Sequence, residues 1–234
     1  MKNIEIKTPD GNAPAVFWDN KGPSVLFLID GIGMRPAIVD VAAKIAEHGY
    51  RVVAPDLFYR LGKYEAYDPK ALFSDPEIMK AWFGRVAPLM TPENVTKDLK
   101  AYLDFLGVPK VGVVGYCMGG RLAFTAAALF PDRIAAAAAY HPGGLYTDKP
   151  DSPHLLAPKV KAKVYIGGAM QDTSFDDAAR AAFDKALTDA GVDHNVELYQ
   201  AKHGWVPSDT PVHDEAETKR HYETLFALFE SALR

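Results

Sequence analysis

One stretch constrains this chain more than any other: Lys110–Arg121, reading Lys-Val-Gly-Val-Val-Gly-Tyr-Cys-Met-Gly-Gly-Arg. A β-branched apolar run ends at Gly115, and a helix-forming segment begins near Leu122. Between them stands Cys117, the only cysteine of the chain, flanked as Gly115-Tyr116-Cys117-Met118-Gly119. That pattern is a strand, a sharp turn and a helix, with a nucleophilic side chain lifted to the apex of the turn. The glycines are required because the turn is strained and crowded, so a side chain at either position is expected to clash.

The rest of the sequence supplies a sheet for such a turn to sit on. Ile4–Lys7 and Ala13–Trp18 read as a hairpin through Asp10-Gly11. Ser24–Asp30 is a continuous apolar run, the mark of a parallel strand buried on both faces. A helix is expected from Pro36 to His48, with Gly49 as its stop, and a strand over Arg51–Pro55. Residues 57–90 mix aromatics with proline and methionine breaks, and are expected to form short helices acting as a pocket wall or lid. Thr91 reads as the N-cap of a helix ending at Gly107. After the turn come a helix to Phe130, a strand over Arg133–Tyr140, and a Pro/Gly/Asp-rich loop over 142–160. Then follow a strand over Val160–Gly167, a helix over Ser174–Ala190, a strand over Asn195–Tyr199 and a helix over Asp214–Leu233. Arg133–Tyr140 is alanine-rich and helical by propensity; its place between a helix and the turn His141-Pro142-Gly143-Gly144 makes it a strand. The alternation predicts an α/β fold with a mostly parallel sheet and helices on both faces, as a single domain over 1–234.

Composition narrows the function classes. A chain of 234 residues with 48% apolar and 24% charged residues is long enough for one sizeable core. A net charge of −4 without a Lys/Arg cluster excludes a nucleic-acid footprint. No run approaches the ~18 apolar residues needed to cross a membrane. The charged start Met-Lys-Asn-Ile-Glu-Ile-Lys does not read as a signal peptide, and one cysteine cannot form an internal disulfide, so a cytoplasmic protein is expected. Gly31-x-Gly33 would need a third glycine at position 36 to bind a dinucleotide, and Pro36 stands there. With no phosphate-binding loop and no Cys/His cluster, no cofactor and no metal are expected.

A thiol nucleophile needs a base, and the base needs an orienting carboxylate. Behind a turn of this kind the acid precedes the histidine in the chain. Asp172 follows the strand ending at Gly167, and His203 follows the strand ending at Tyr199, both at C-terminal strand ends where open α/β sheets collect functional groups. Cys117, Asp172 and His203 are therefore the expected nucleophile, orienter and base. His141 also ends a strand, but it precedes the acid and is assigned to the pocket lining. Two amides are expected to hold a developing oxyanion: that of Met118, after the nucleophile, and that of Ile32, in the loop Asp30-Gly31-Ile32-Gly33.

These residues resemble the dienelactone hydrolase family of α/β-hydrolases, over nearly the whole chain. The likeness rests on the run Gly115–Gly120, on Asp172 and His203, and on Ala54-Pro55-Asp56-Leu57-Phe58-Tyr59-Arg60. It implies an α/β-hydrolase fold, a Cys117–Asp172–His203 triad, and hydrolysis of an ester or lactone through a thioester. It further implies that Arg60 binds a substrate carboxylate. The expected partner is then a small-molecule ester or lactone, an anionic one if Arg60 serves so, acted on by a monomer or small homo-oligomer. Two positions depart from the pattern. Members that degrade aromatics carry Glu where Gly31 stands here, and an arginine soon after the histidine, where this chain reads His203-Gly204-Trp205-Val206-Pro207. Cys117 is then expected to be activated by His203 and the helix N-terminus directly. Asp30 is left to contact substrate, to modulate the thiol, or to orient its loop and Arg35. Trp205, Phe58, Tyr59 and Trp82 are the aromatic candidates for the pocket wall. Other readings of the same residues are a silent family member serving as a redox-responsive or ligand-binding protein, and an acyltransferase.

Overall fold

A computed structural model describes residues 1–234. The hairpin expected at the N-terminus is β1 (Lys2–Thr8) and β2 (Gly11–Trp18), antiparallel, with Thr8 opposite Gly11. β3 (Ser24–Leu28) is buried along its whole length, and α1 (Pro36–Glu47) begins on its proline. β4 (Arg51–Pro55) follows. Residues 57–90 form a short 3-10 turn over Tyr59–Leu61, then α2 (Pro69–Ser74) and α3 (Pro76–Val86). α4 (Pro92–Leu106) has Thr91 as its N-cap, the hydroxyl accepting the Asn94 N–H at 3.2 Å, and ends at Gly107 with φ 66°.

β5 (Val111–Tyr116) runs into α5 (Met118–Leu129), which starts four residues earlier than the apolar pattern suggests, because Cys117 is itself the N-cap. β6 (Ile134–Tyr140) is a strand despite five consecutive alanines. A 3-10 turn over Pro153–Lys159 takes residues that read as loop, and β7 (Lys163–Ala169) begins later than expected. α6 (Asp177–Asp189), capped by Asp176, β8 (His194–Tyr199) and α7 (Glu215–Leu233) complete the chain.

The eight strands order as β1-β2-β4-β3-β5-β6-β7-β8. Only the β1/β2 and β2/β4 pairs are antiparallel; the other five are parallel. Two glycines of β5, three residues apart and so pointing to opposite sides, mark the two faces. A Cβ on Gly112 would meet Phe229 and Leu233 of α7, whereas one on Gly115 would meet the backbone of α5. α1 joins α7 on the first face, where the Tyr222 hydroxyl reaches the Val41 carbonyl. α6 joins α5 on the second through Phe124 and Phe183, ring centroids 4.9 Å apart. The core is one cluster of 66 buried apolar residues drawn from every strand, which holds the C-terminal strand ends rigid beneath the loops they carry. No helix is long and apolar enough to cross a membrane.

Candidate active site

Cys117 has φ 53° and ψ −116°, a conformation that costs a non-glycine residue on the order of 1–3 kcal/mol. The surrounding backbone holds it there. Its N–H donates to the Tyr140 carbonyl at 3.0 Å, and its carbonyl accepts from the Gly120 and Arg121 amides at 3.1 and 3.3 Å. β5, α5 and β3 approach so closely that a Cβ on Gly115 would lie 1.9 Å from the Gly119 carbonyl oxygen. The half-buried thiol therefore stands at the N-terminus of α5, where the Met118 amide, in the first turn, has no acceptor within the helix.

β7 and β8 bring the other two polar groups to the same edge. Asp172 is buried, and its Oδ1 accepts from the Ser174 N–H at 2.9 Å and the Ser174 hydroxyl at 2.6 Å. Its Oδ2 lies 2.7 Å from His203 Nδ1. Burial raises the Asp172 carboxyl, but His203 and Ser174 outweigh it and hold the group below its ordinary value. Burial pulls the His203 pKa down, while Cys117 and Asp172 together push it up to about 10. The loop behind it is pinned at Trp205, whose carbonyl faces His213 Nδ1 at 2.9 Å and accepts from the Asp214 N–H and Thr218 hydroxyl, both at 3.2 Å.

Several expected roles are corrected by where the side chains lie. The Ile32 N–H donates to Asp30 Oδ1 at 3.0 Å, so this amide is engaged within its own loop rather than free for an oxyanion. Asp30 is buried and gripped by Arg35 at 2.8 and 3.0 Å, which leaves no carboxylate free for substrate. Arg60 is consumed by ion pairs: two bonds to Asp98 at 2.6 and 2.8 Å and a 2.6 Å contact to Asp10. It ties the 3-10 turn to α4 and the β1–β2 hairpin, so it does not offer an open guanidinium to an anion. Trp205 and His141 are fully buried, with ring centroids 4.8 Å apart, and His141 packs 5.1 Å from the His203 ring. They support the histidine from beneath and do not line an open pocket. Burial and the neighbouring His203 hold His141 well below the ordinary imidazole range, so it is neutral and does not compete with His203 for charge. Phe58 and Tyr59 are core residues; Tyr59 donates to Asp98 at 2.9 Å.

Residues 57–90 do pack over the Gly31–Arg35 loop. Trp82 Nε1 donates to the Gly31 carbonyl at 2.8 Å, and the Tyr64 hydroxyl accepts the Met34 N–H at 3.2 Å while donating to Asp56 at 2.7 Å. The Phe83 ring occupies the space above Gly31: a Cβ there would lie 3.0 Å from Phe83 Cε1 and 4.0 Å from Met118 Cβ. An aromatic ring thus stands where a longer side chain at position 31 would project. Gly31→Ala is expected to destabilise by about 1 kcal/mol or more through overpacking. Combining it with Phe83→Ala should cancel that overpacking, and a double-mutant cycle of thermal midpoints checks the coupling.

Asp209, Ser174 and Phe83 belong to the site's surroundings and are given no role by the sequence, whereas Arg35 is paired with Asp30 as one of the sequence readings has it. Ser174 alone had a local signal, since Asp-x-Ser is a spacing at which a carboxylate bonds the backbone two residues on. No group of three His, Cys, Asp or Glu side chains stands close enough to hold a metal ion.

Comparison with known proteins gives a consistent assignment. The profile of the dienelactone hydrolase family matches residues 13–233. A Synechocystis protein provisionally named a carboxymethylenebutenolidase is 24% identical over 227 residues, spanning 91% of this chain and 87% of its own. The carboxymethylenebutenolidase of Rhodococcus opacus is 30% identical over 115 residues, 49% of this chain and 42% of its own. Among solved structures, a Klebsiella pneumoniae protein provisionally assigned as a dienelactone hydrolase superposes with a TM-score of 0.84 at 21% identity. That superposition covers 98% of this chain and 97% of the other, and at such identity it speaks for the α/β-hydrolase fold alone.

Proposed function

The chain belongs to the dienelactone hydrolase family, and from that premise we propose that it hydrolyses a small-molecule ester or lactone through a thioester on Cys117. The observation that carries this reading is the strained Cys117, at φ 53° on the strand-to-helix turn, together with a His203 held by the buried Asp172 at 2.7 Å and acted on by Cys117.

The Cys117 sulfur, as thiolate, attacks the substrate carbonyl carbon, and the carbonyl oxygen takes up the negative charge beside the Met118 amide. Collapse breaks the C–O bond, and the His203 imidazolium gives its proton to the departing alkoxide. A thioester and a neutral imidazole remain. His203 then takes a proton from water as the hydroxyl oxygen attacks the thioester. The second collapse expels the Cys117 thiolate beside a reprotonated His203 and leaves a carboxylic acid, which ionises to solvent. With a lactone, alcohol and acid end on one molecule. Asp172 holds the imidazole by Nδ1 and stabilises its charged form throughout.

The histidine sets a pH dependence with a definite sign. Its folded pKa is raised, so the charged form that attracts Asp172 and Cys117 persists through neutrality and is lost as pH rises through about 10. The stability it contributes is therefore complete below the unfolded value near 6.5 and gone above about 10. Turnover is expected to show an alkaline limb at that upper end. Asp172→Asn should move the limb toward neutrality, because one of the groups raising His203 is gone. A kcat/KM profile from pH 6 to 11 checks both.

The reading itself is tested by incubating the protein with a panel of activated esters and lactones and looking by intact mass for an acyl adduct. Turnover with an adduct that disappears in Cys117→Ala supports it. No turnover and no adduct would overturn it in favour of a silent, redox-responsive or ligand-binding member; an adduct released only to an added alcohol or amine would make the chain an acyltransferase.

A further inference from the structure

One buried guanidinium joins the two sides of the site. Arg35 precedes α1 and is almost wholly enclosed, yet it faces two carboxylates from distant parts of the chain. Nη1 and Nη2 donate to Asp30 at 2.8 and 3.0 Å, and Nε and Nη2 donate to Asp209 at 2.7 and 3.1 Å. Nη1 also reaches the Gly33 carbonyl at 3.2 Å. All three guanidinium nitrogens are used, in the planar fork that only arginine provides.

Each carboxylate belongs to a loop that borders the proposed chemistry. Asp30 lies in the loop after β3 and takes the Ile32 N–H at 3.0 Å. Asp209 lies in the loop after β8, six residues beyond His203. Its neighbour Thr210 returns a hydrogen bond of 2.8 Å to the carbonyl of Gly204, the residue after His203. A connected path therefore runs from the Ile32 amide through Asp30, Arg35, Asp209 and Thr210 to the Gly204 carbonyl, next to His203 in the chain. A structural arginine could pair with one acid anywhere; this one spans the gap between the loop after β3, where a Cβ on Gly31 would lie 4.0 Å from Met118 Cβ, and the loop of the base.

We propose that Arg35 is a positioning residue of the reaction, fixing the distance between the Gly31–Arg35 loop and the His203 loop by gripping Asp30 and Asp209 together. The proposal rests on the thioester reading above. Losing the grip lets His203 drift from Cys117, and a misplacement of about 1 Å can cost on the order of 10²-fold in rate. The effect falls on kcat rather than KM, since the grip aligns reacting groups and touches no substrate.

The test uses the full chain with Arg35→Lys and Asp209→Asn, and Asp104→Asn as a surface ion-pair control. Two readouts are taken: kcat and KM on an activated ester, and the rate of Cys117 alkylation by iodoacetamide across pH. Arg35→Lys keeps the charge but cannot hold two carboxylates in one plane, so it should fail to restore kcat, with a loss of about 10–100-fold at little changed KM. Asp209→Asn should lower kcat in the same sense and shift the alkylation profile, because Cys117, Asp172 and the neutral His141 face His203 from other segments, so its approach to Cys117 and to Asp172 depends on the position of its loop. Folded variants with unaltered kcat and alkylation profile would overturn the proposal. Should Arg35→Lys not fold, Asp209→Asn decides, because Asp209 is partly exposed and asparagine keeps its shape. Should the unaltered protein turn over no ester, the thioester reading fails while the alkylation profile still decides the role of Arg35.

Discussion

Cys117→Ala is expected to remove ester hydrolysis by roughly four to six orders of magnitude, with the fold intact. In the proposed reaction the thiol makes the bond to carbon, and no other nucleophilic side chain stands at the apex of β5 and α5. Alanine fits there because the φ of 53° is enforced by backbone hydrogen bonds at 3.0–3.3 Å rather than by the side chain. The variant also carries a second, sharper readout. Cys117 is one of the two groups that hold His203 up at about 10, so without it burial should prevail further and the imidazole should titrate at lower pH. Asp172 remains, so the fall is partial. An NMR titration of the His203 ring in both proteins measures it. An unmoved titration would mean that thiol and imidazole are not in contact.

Gly119→Ala is the corresponding expectation for stability. Within a helix this exchange ordinarily stabilises by about 0.5–1 kcal/mol, because alanine loses less backbone freedom than glycine. Here the added Cβ would lie 2.3 Å from the carbonyl oxygens of Leu28 and Ile29. Those are backbone atoms of β3 and of the loop leading to Ile32, and neither can rotate away. The clash prevails, and a loss of about 4 kcal/mol or more is expected, lowering the thermal midpoint by roughly 10 °C. Gly84→Ala in α3 is the control, since nothing lies within 4 Å of its Cβ; it should be neutral or stabilising. Calorimetry on the two variants reads the difference, and equal midpoints would mean that β3 and α5 are not held as close as the structure has them.

Much of the scaffold was legible because its signals are local. The turn around Cys117 is written in its flanking glycines, Thr91 and Pro92 announce α4, and the uninterrupted apolar run of β3 gives away its double burial. The order of Cys117, Asp172 and His203 follows from their places after strands. β6 shows the limit of such reading. Ile134–Tyr140 is helical by propensity and becomes a strand because it is laid between β5 and β7, where small side chains let α5 sit close: a Cβ on Gly120 would be 3.4 Å from that of Ala139. α5 starts earlier than its apolar pattern suggests because Cys117, at positive φ, serves as its cap, which no propensity scale describes.

The roles that failed to carry over are those that depend on what a charged or polar group meets across the fold. Arg60 stands in a run resembling a substrate-binding one, yet Asp98, 38 residues away, takes two of its hydrogen bonds. The Ile32 amide sits at the expected place in its loop but points at Asp30. Arg35 and Asp209 are 174 residues apart, and although Asp30 marks Arg35 from within its own loop, nothing in the sequence marks Asp209 as its second partner.

The sequence by itself determined the sheet and the sharp turn with the lone thiol at its apex, because these follow from backbone sterics and burial patterns acting over a few residues. The tertiary structure alone decided which charges are free and which are spent, and how the two loops around Cys117 are held to one another. Pairing of charges and donors depends on distances between segments brought together only when the core closes.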